Sequence, residues 1–192
     1  MPQKAEHTVH ILEGKATLSR RVTSPHWQVR YKVGNKWLRT TTKEEDFELA
    51  KSKAVDIVTN AWFRQRNNLP TVSKRFKTIA NLAIKRMEDE LNGGYGKATY
   101  RSYILALKNY HIPYFKAYNI DSIDHAALRR FAEWREQEMK RVPSKSTQNT
   151  HNSALNRVFD EAQLRNYMTD AQRPHIENKR GASSARRPHI RI

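Results

Sequence analysis

The side chains best suited to chemistry are cationic and amide groups that alternate with apolar residues between Thr17 and Thr42. Gln28, Arg30 and Lys32 lie between Trp27, Val29, Tyr31 and Val33, and this period of two is typical of a half-buried β-strand. Guanidinium, ammonium and amide groups donate hydrogen bonds to phosphates and to base edges. The pattern therefore favours binding of a polyanion over acid-base or nucleophilic catalysis.

Gly34-Asn35 is a two-residue turn of the hairpin type and sets the register of the two strands that flank it. One face then carries the pairs Val33 with Lys36, Tyr31 with Leu38 and Val29 with Thr40. The other face pairs Lys32 with Trp37, Arg30 with Arg39 and Gln28 with Thr41. A preceding strand near Leu18 to Val22 adds two arginines. The candidate binding residues of this sheet are Arg20, Arg21, Gln28, Arg30, Lys32, Trp37, Arg39 and Thr41.

The overall charge agrees with this interpretation. The chain has 192 residues, a formal net charge of +17 and a pI near 10.3, and the basic excess is spread over its whole length. These values indicate a polyanionic partner, with nucleic acid ahead of an anionic membrane surface. A folded basic surface is expected, because a basic tail on a neutral body would concentrate the charge.

Several classes of protein are excluded or disfavoured by composition. The absence of cysteine excludes disulfides, thiolate metal sites and a cysteine nucleophile, and fits a cytoplasmic protein. No window approaches 18 consecutive apolar residues, so we expect no membrane partner. The eight histidines are scattered without close carboxylate companions. We therefore expect no metal, no cofactor, no small-molecule substrate and no catalytic residue.

The elements that must position these groups form two domains in this prediction. Residues 44–67 have helical spacing and would cover the apolar sheet face, and Asn67-Asn68-Leu69-Pro70 marks a boundary. Four helical segments follow, at about 71–91, 97–117, 124–141 and 146–167, with Asp124 and either Ser144 or Ser146 as N-caps.

The sequence thus predicts an α+β protein with a small three-stranded antiparallel sheet and one covering helix, followed by an all-α four-helix bundle. The predicted boundaries are a disordered N-terminus over 1–15, a β-β-β-α domain over 16–69, a helical domain over 71–168 and an extended basic linker or tail over 169–192.

Short motifs in both domains carry a resemblance to a known family. They are Trp27-Gln28-Val29-Arg30-Tyr31, Gly34-Asn35-Lys36-Trp37-Leu38-Arg39 and Thr41-Thr42-Lys43-Glu44-Glu45 in the first domain, and Thr99-Tyr100-Arg101-Ser102-Tyr103, Ile120-Asp121-Ser122-Ile123, Ser146-Thr147-Gln148-Asn149 and Leu155-Asn156-Arg157-Val158-Phe159-Asp160-Glu161-Ala162 in the second. Together with a basic Arg186-Arg187-Pro188 linker, they resemble the N-terminal half of the tyrosine recombinase (phage integrase) family. That half is an arm-type DNA-binding domain followed by a SAM-like core-binding domain.

The resemblance implies binding of double-stranded DNA at recombination (attachment) sites, with other recombinase protomers as further partners. It also implies that the second and fourth helices of the bundle contact DNA. The corresponding candidates are Lys97, Tyr100, Arg101, Lys108, Lys145, Thr147, Gln148, Asn149, Asn152 and Arg157. The family's catalytic domain would begin just after such a linker, so we expect this chain to lack it and to bind without cutting. The alternatives are a fragment of an active recombinase, a stand-alone repressor that competes for integrase sites, and an RNA-binding protein.

Overall fold

A computed structural model describes residues 5–176 of the chain. The fold divides into two compact units, Met1–Thr71 and Val72–Ile192. The first combines a sheet with one helix, and the second is helical over its described residues. The predicted α+β class is therefore confirmed.

The first unit contains a four-stranded antiparallel sheet in the order β1 (Ala5–Ile11), β2 (Ala16–Arg21), β3 (Gln28–Val33) and β4 (Lys36–Thr41). The pairing of β3 with β4 has the predicted register throughout. The prediction of three strands is wrong, and so is that of a disordered segment over residues 5–11, since β1 pairs along β2. Val9 lies opposite Leu18 and Ile11 opposite Ala16, so β1 adds its apolar side chains to the face that β2 already buries.

A single helix, α1 (Phe47–Arg66), covers the apolar face of this sheet. Its buried residues include Ala50, Ala54 and Ala61, whose small side chains let the helix approach the strands closely. The helix begins at Phe47 because the Asp46 side chain accepts a hydrogen bond from the Leu49 backbone N–H as the N-cap.

The second unit contains five α-helices within its described residues: α2 (Phe76–Asn92), α3 (Tyr100–Ala106), α4 (Ile112–Phe115), α5 (His125–Met139) and α6 (Lys145–Leu164). Four helical segments were predicted, and the second of them is interrupted. A π-helical turn over Leu107–His111 separates α3 from α4, next to Pro113, which has no backbone N–H to continue the α-helical hydrogen bonding. The largest fully buried side chains of the unit are Phe76, Phe115 and Phe159.

Local capping in this unit follows the sequence. The Asp124 side chain accepts from the Ala127 N–H at 2.7 Å, and the Ser144 hydroxyl accepts from the Thr147 N–H at 3.2 Å. Both predicted N-caps are thereby confirmed, Ser144 being the one used of the two serines.

The prediction of an extended tail from residue 169 is wrong over 169–176. A 3₁₀ turn spans Asp170–Gln172, and the Arg173 guanidinium lies 2.8 Å from the Asp160 carboxylate of α6. These contacts hold the chain on the surface of α6. The remainder of the predicted tail, 177–192, lies outside the described residues, as do residues 1–4. No helix within residues 5–176 has the length and apolar character needed to cross a bilayer.

Candidate nucleic-acid interface

The side of the sheet opposite α1 carries polar and cationic side chains from all four strands, and we call it the polar face. Its composition follows from the strand register, which aligns His10, Thr17, Arg30 and Arg39 in one row across the sheet. The polar face consists of Thr8, His10, Thr17, Ser19, Arg21, Gln28, Arg30, Lys32, Trp37, Arg39 and Thr41. This set, which lies within residues 7–41, has no Asp or Glu.

The centre of the polar face is a stacked pair of side chains on adjacent strands. The Arg30 guanidinium carbon lies 4.5 Å from the centroid of the Trp37 ring, and Trp37 is 53 % exposed. The two residues are diagonal neighbours, since Trp37 is opposite Lys32 and Arg30 is opposite Arg39. An exposed indole held against a guanidinium presents a flat surface with donors at its edge.

The charges on the polar face are crowded. Burial lowers the pKa of the Arg39 guanidinium below its usual value, and the nearby charges of Arg21 and Arg30 lower it further. Among the described residues no carboxylate forms an ion pair with Arg21, Arg30, Lys32 or Arg39. An external polyanion would relieve this repulsion.

Hydrogen bonds at both ends of the sheet anchor the strands that carry the polar face. The Trp62 indole N–H of α1 donates to the Lys32 carbonyl at 3.0 Å, which ties the helix to the end of β3. At the other end, Trp27 is 5 % exposed and its indole N–H donates to the Glu45 carbonyl at 3.1 Å. The buried Thr42 hydroxyl donates to the Trp27 carbonyl at 2.9 Å. The cationic side chains therefore project from a backbone that is anchored at both ends.

Arg20 is the one sheet candidate that lies apart from the others. Its register partner on β1 is His7, and its guanidinium carbon lies 5.5 Å from the centroid of the Trp27 ring. Since Trp27 belongs to the core side of the sheet, Arg20 and Arg21 point to opposite faces. The remaining seven sheet candidates share the polar face.

Two of the helical candidates contact each other within the second unit. The Arg157 guanidinium donates to the Tyr100 hydroxyl at 2.7 Å and lies 5.0 Å from the centroid of its ring. Tyr100 is 4 % exposed, and burial raises the pKa of its hydroxyl, as does a hydrogen bond with Glu90. This pair joins α3 to α6. Lys108 is similarly engaged, with its ammonium 3.2 Å from the Glu88 carboxylate.

The candidates on α6 are divided between the core, the cap and the surface. Gln148 is 2 % exposed and its amide donates to the Pro143 carbonyl at 3.0 Å. Thr147 is half-buried and its hydroxyl is 3.0 Å from that of the capping Ser144. Asn152 is half-buried and lines a cavity beside α5. The helical candidates that are exposed to solvent are Lys97, Arg101, Lys108, Lys145 and Asn149.

Sequence reasoning missed four members of the polar face, namely Thr8, His10, Thr17 and Ser19. The run Thr8-Val9-His10-Ile11 has the same period of two as β3, and the chain reverses over Leu12, Glu13 and Gly14, which all have positive φ. This alternation is the sequence signal that identifies β1. The prediction of a disordered N-terminus over 1–15 left it unused.

Within residues 5–176 no group of three or more His, Asp or Glu side chains is arranged to hold a metal ion. The chain matches no family model, no curated protein and no solved structure. The geometry of the polar face is therefore the basis for assigning a function.

Proposed function

We propose that this protein binds double-stranded DNA through the polar face of its sheet, as the DNA-binding part of a phage-type integrase acting at attachment sites. The observation that carries this proposal is the cluster of arginines on an anchored sheet face that has no acidic side chain between residues 7 and 41. Burial and the charges of Arg21 and Arg30 lower the pKa of Arg39, and these three arginines form no ion pair with a carboxylate among the described residues. A phosphate backbone supplies the missing negative charge.

The β3–β4 hairpin at one edge of the sheet has dimensions that suit the major groove of B-form DNA. That groove is about 12 Å wide and accepts a two-stranded β-ribbon, whose strands lie about 5 Å apart. The hairpin of β3 and β4 projects Gln28, Arg30 and Arg39 from one face. Arg reads guanine and Gln reads adenine through paired hydrogen bonds. Arg21 and Ser19 on the flanking β2 are placed to contact phosphates.

The second unit supplies further contacts in this proposal, as the SAM-like core-binding domain of the family. Its exposed polar residues on α3 and at the start of α6 are Arg101, Lys145 and Asn149, with Lys97 just before α3. We leave Gln148 out of the proposed contact set, because its amide is buried and bonded to Pro143. Tyr100 and Arg157 act in the proposal by joining α3 to α6.

RNA is a weaker candidate partner for the polar face. The major groove of an A-form helix is deep and narrow, so a β-ribbon that fits B-form DNA is excluded from it. Recognition of single-stranded RNA uses several aromatic side chains that stack on bases. Trp37 is the aromatic residue of the polar face, which favours duplex DNA.

Within the DNA-binding proposal, two biological roles remain open. The chain is either the DNA-holding part of an active recombinase or a repressor that occupies attachment sites, in each case in the cytoplasm and with other recombinase protomers as neighbours on DNA. Extending the reading frame beyond the last codon distinguishes them. An in-phase segment with the family's catalytic residues would assign the enzyme.

Fluorescence anisotropy with labelled duplex DNA, single-stranded DNA and a structured RNA tests the binding proposal directly. Duplex DNA flanking the gene should bind most tightly, and its association constant should fall steeply between about 50 and 200 mM salt, since each neutralised phosphate contributes a slope of about 0.9. Footprinting should then show two spaced protected segments, one for each unit. Tighter binding of RNA, or a salt-independent affinity, would contradict the proposal.

A further inference from the structure

The second unit contains a cavity of about 290 Å³ between α5, α6 and the segment that follows α6. Arg135 and Phe131 line it from α5, Asn152 and Leu155 from α6, and Ile176 from the following segment. Among residues 5–176, no Asp or Glu side chain lines it. The cavity thus combines an apolar wall with cationic groups.

Arg135 is a cationic side chain that is almost fully buried in the wall of this cavity. It is 4 % exposed, and its Nε has no hydrogen-bond partner. The neighbouring aromatic contact, with the guanidinium carbon 5.4 Å from the Phe131 centroid, does not neutralise its charge. A buried cation without a counterion is strongly unfavourable, so such groups in proteins are normally paired.

Two buried histidines lie near Arg135, and none of the described residues that line the cavity is acidic. His151 of α6 and His111 beside it are both buried, and their ring centroids are 5.6 Å apart. Burial lowers the pKa of the Arg135 guanidinium below its usual value, and the charge of its sequence neighbour Glu136, which does not line the cavity, acts in the opposite direction. At the wall, Arg129 contributes a second guanidinium. A bound anion would supply counter-charge at the cavity itself.

We propose that this cavity binds a small organic anion that has an apolar body. The anionic group pairs with the Arg135 guanidinium, with Arg129 beside it, and the apolar body packs against Leu128, Leu155 and Ile176. The ligand needs both the anionic group and the apolar body, because an inorganic anion would leave the apolar side chains of the cavity in contact with water.

The size of the cavity agrees with this class of ligand. A dry engineered cavity of about 150 Å³ takes up benzene, and one water occupies about 30 Å³ of liquid volume. A cavity of about 290 Å³ therefore has room for an aromatic carboxylate together with a few waters. Acetate would fill only a small part of it.

Thermal denaturation of the full chain with sodium benzoate, acetate and phosphate at equal ionic strength tests the proposal. Benzoate should raise the melting temperature in a saturable manner, and the two other salts should raise it less. Arg135→Gln should abolish the benzoate-dependent shift. The matched control Lys85→Gln removes the same charge from the exposed surface of α2 and should retain the shift.

A second variant guards against loss of folding in Arg135→Gln. Asn152→Asp places a carboxylate in the cavity beside Arg135, so it should melt at or above the parent temperature without ligand and show no benzoate shift. NMR methyl signals of Leu128 and Leu155 should move with benzoate in the parent and stay fixed in Asn152→Asp.

Three results would overturn the proposal: no benzoate-specific shift in the parent, an equal shift with phosphate, or an unchanged shift in a folded Arg135→Gln. Each result is measured without DNA, so it does not depend on the outcome of the DNA-binding proposal.

Discussion

The guanidinium of Arg30 stacks on the ring of Trp37, at 4.5 Å from the ring centroid, on the exposed face of the sheet. The contact crosses from β3 to β4 diagonally, and it leaves the outer edge of each group open to solvent. The sheet therefore holds an aromatic surface and a fork of donors in a fixed mutual orientation before any partner arrives, which lowers the ordering entropy that binding must overcome.

Replacement of Arg39 by glutamine should weaken duplex binding by about tenfold, which corresponds to about 1.4 kcal/mol. The physical reason is loss of one cation from the row that Arg30 shares with Arg39. The slope of the logarithm of the association constant against the logarithm of the salt concentration should also fall by about one, because one phosphate contact is lost. Anisotropy titrations at several salt concentrations measure both quantities.

Lys36→Gln is the matched control for this substitution. Lys36 is exposed on the same strand, but it pairs with Val33 on the other side of the sheet. It should leave affinity nearly unchanged. Equal losses from Arg39→Gln and Lys36→Gln would mean that net charge, and not the polar face, determines binding.

Trp37→Ala should reduce affinity for duplex DNA by about two- to fivefold, because an exposed stacking contact of this kind contributes about 0.5–1 kcal/mol. Trp37→Phe keeps a flat ring and should give a smaller loss. Since Trp37 is 53 % exposed, urea midpoints of both variants should stay close to that of the parent. A large drop in the urea midpoint of Trp37→Ala would instead assign Trp37 to packing.

Tyr100→Phe should lower the free energy of unfolding by about 1 kcal/mol while duplex affinity stays within about twofold of the parent. The hydroxyl that it removes accepts the Arg157 hydrogen bond at 2.7 Å and lies in a residue that is 4 % exposed. Urea denaturation and anisotropy on the same preparation separate the two effects. A loss of affinity without a loss of stability would place the Tyr100 hydroxyl at the DNA.

Lowering the pH from about 7 to 4 should destabilise the second unit. Burial lowers the pKa of His111 to about 3 and that of His151 to about 4, against an ordinary value of 6.5, and nearby Arg135 lowers both further. The unfolded chain therefore binds protons below pH 6.5 that the folded unit does not, and stability is lost as pH falls toward the folded pKa. Each histidine contributes a loss of about 1.4 kcal/mol per pH unit in this window.

His151→Phe checks this assignment, since it keeps a ring against Tyr110 and removes one titrating group. The dependence of the urea midpoint on pH, followed through the Leu155 methyl signal, should become about half as steep. The substitution His125→Gln at the exposed start of α5 should leave the slope as in the parent. An unchanged slope in His151→Phe would remove His151 from the explanation.

Most of the polar face could be predicted from the sequence, because successive side chains of a β-strand point to opposite faces of the sheet. Side chains alternate, so the turn at Gly34-Asn35 was enough to predict each pair of β3 and β4. β1 was missed because its neighbours in sequence are polar, although Val9 and Ile11 alternate with Thr8 and His10. Its stability depends on pairing with β2, which a local pattern does not reveal.

The helical candidates were harder to predict because a helix has no fixed exposed side until its neighbours are known. Gln148 and Asn149 are adjacent in sequence, yet one is buried against Pro143 and the other is exposed. Arg157 has a side chain that suits DNA, and it instead contacts Tyr100. Which surface of α6 is open depends on tertiary packing against α2 and α3, and polarity alone does not encode it.

The π-helical turn at Leu107–His111 has a consequence for how this chain tolerates changes in length. A π turn is equivalent to one residue inserted into an α-helix, and it absorbs that residue locally. Deleting one residue there would remove the extra residue of the π turn and leave Phe115 of α4 facing the core. An equal deletion within α6 would rotate every later side chain by about 100° away from its partners. Insertions and deletions that survive in related genes are accordingly expected at this turn.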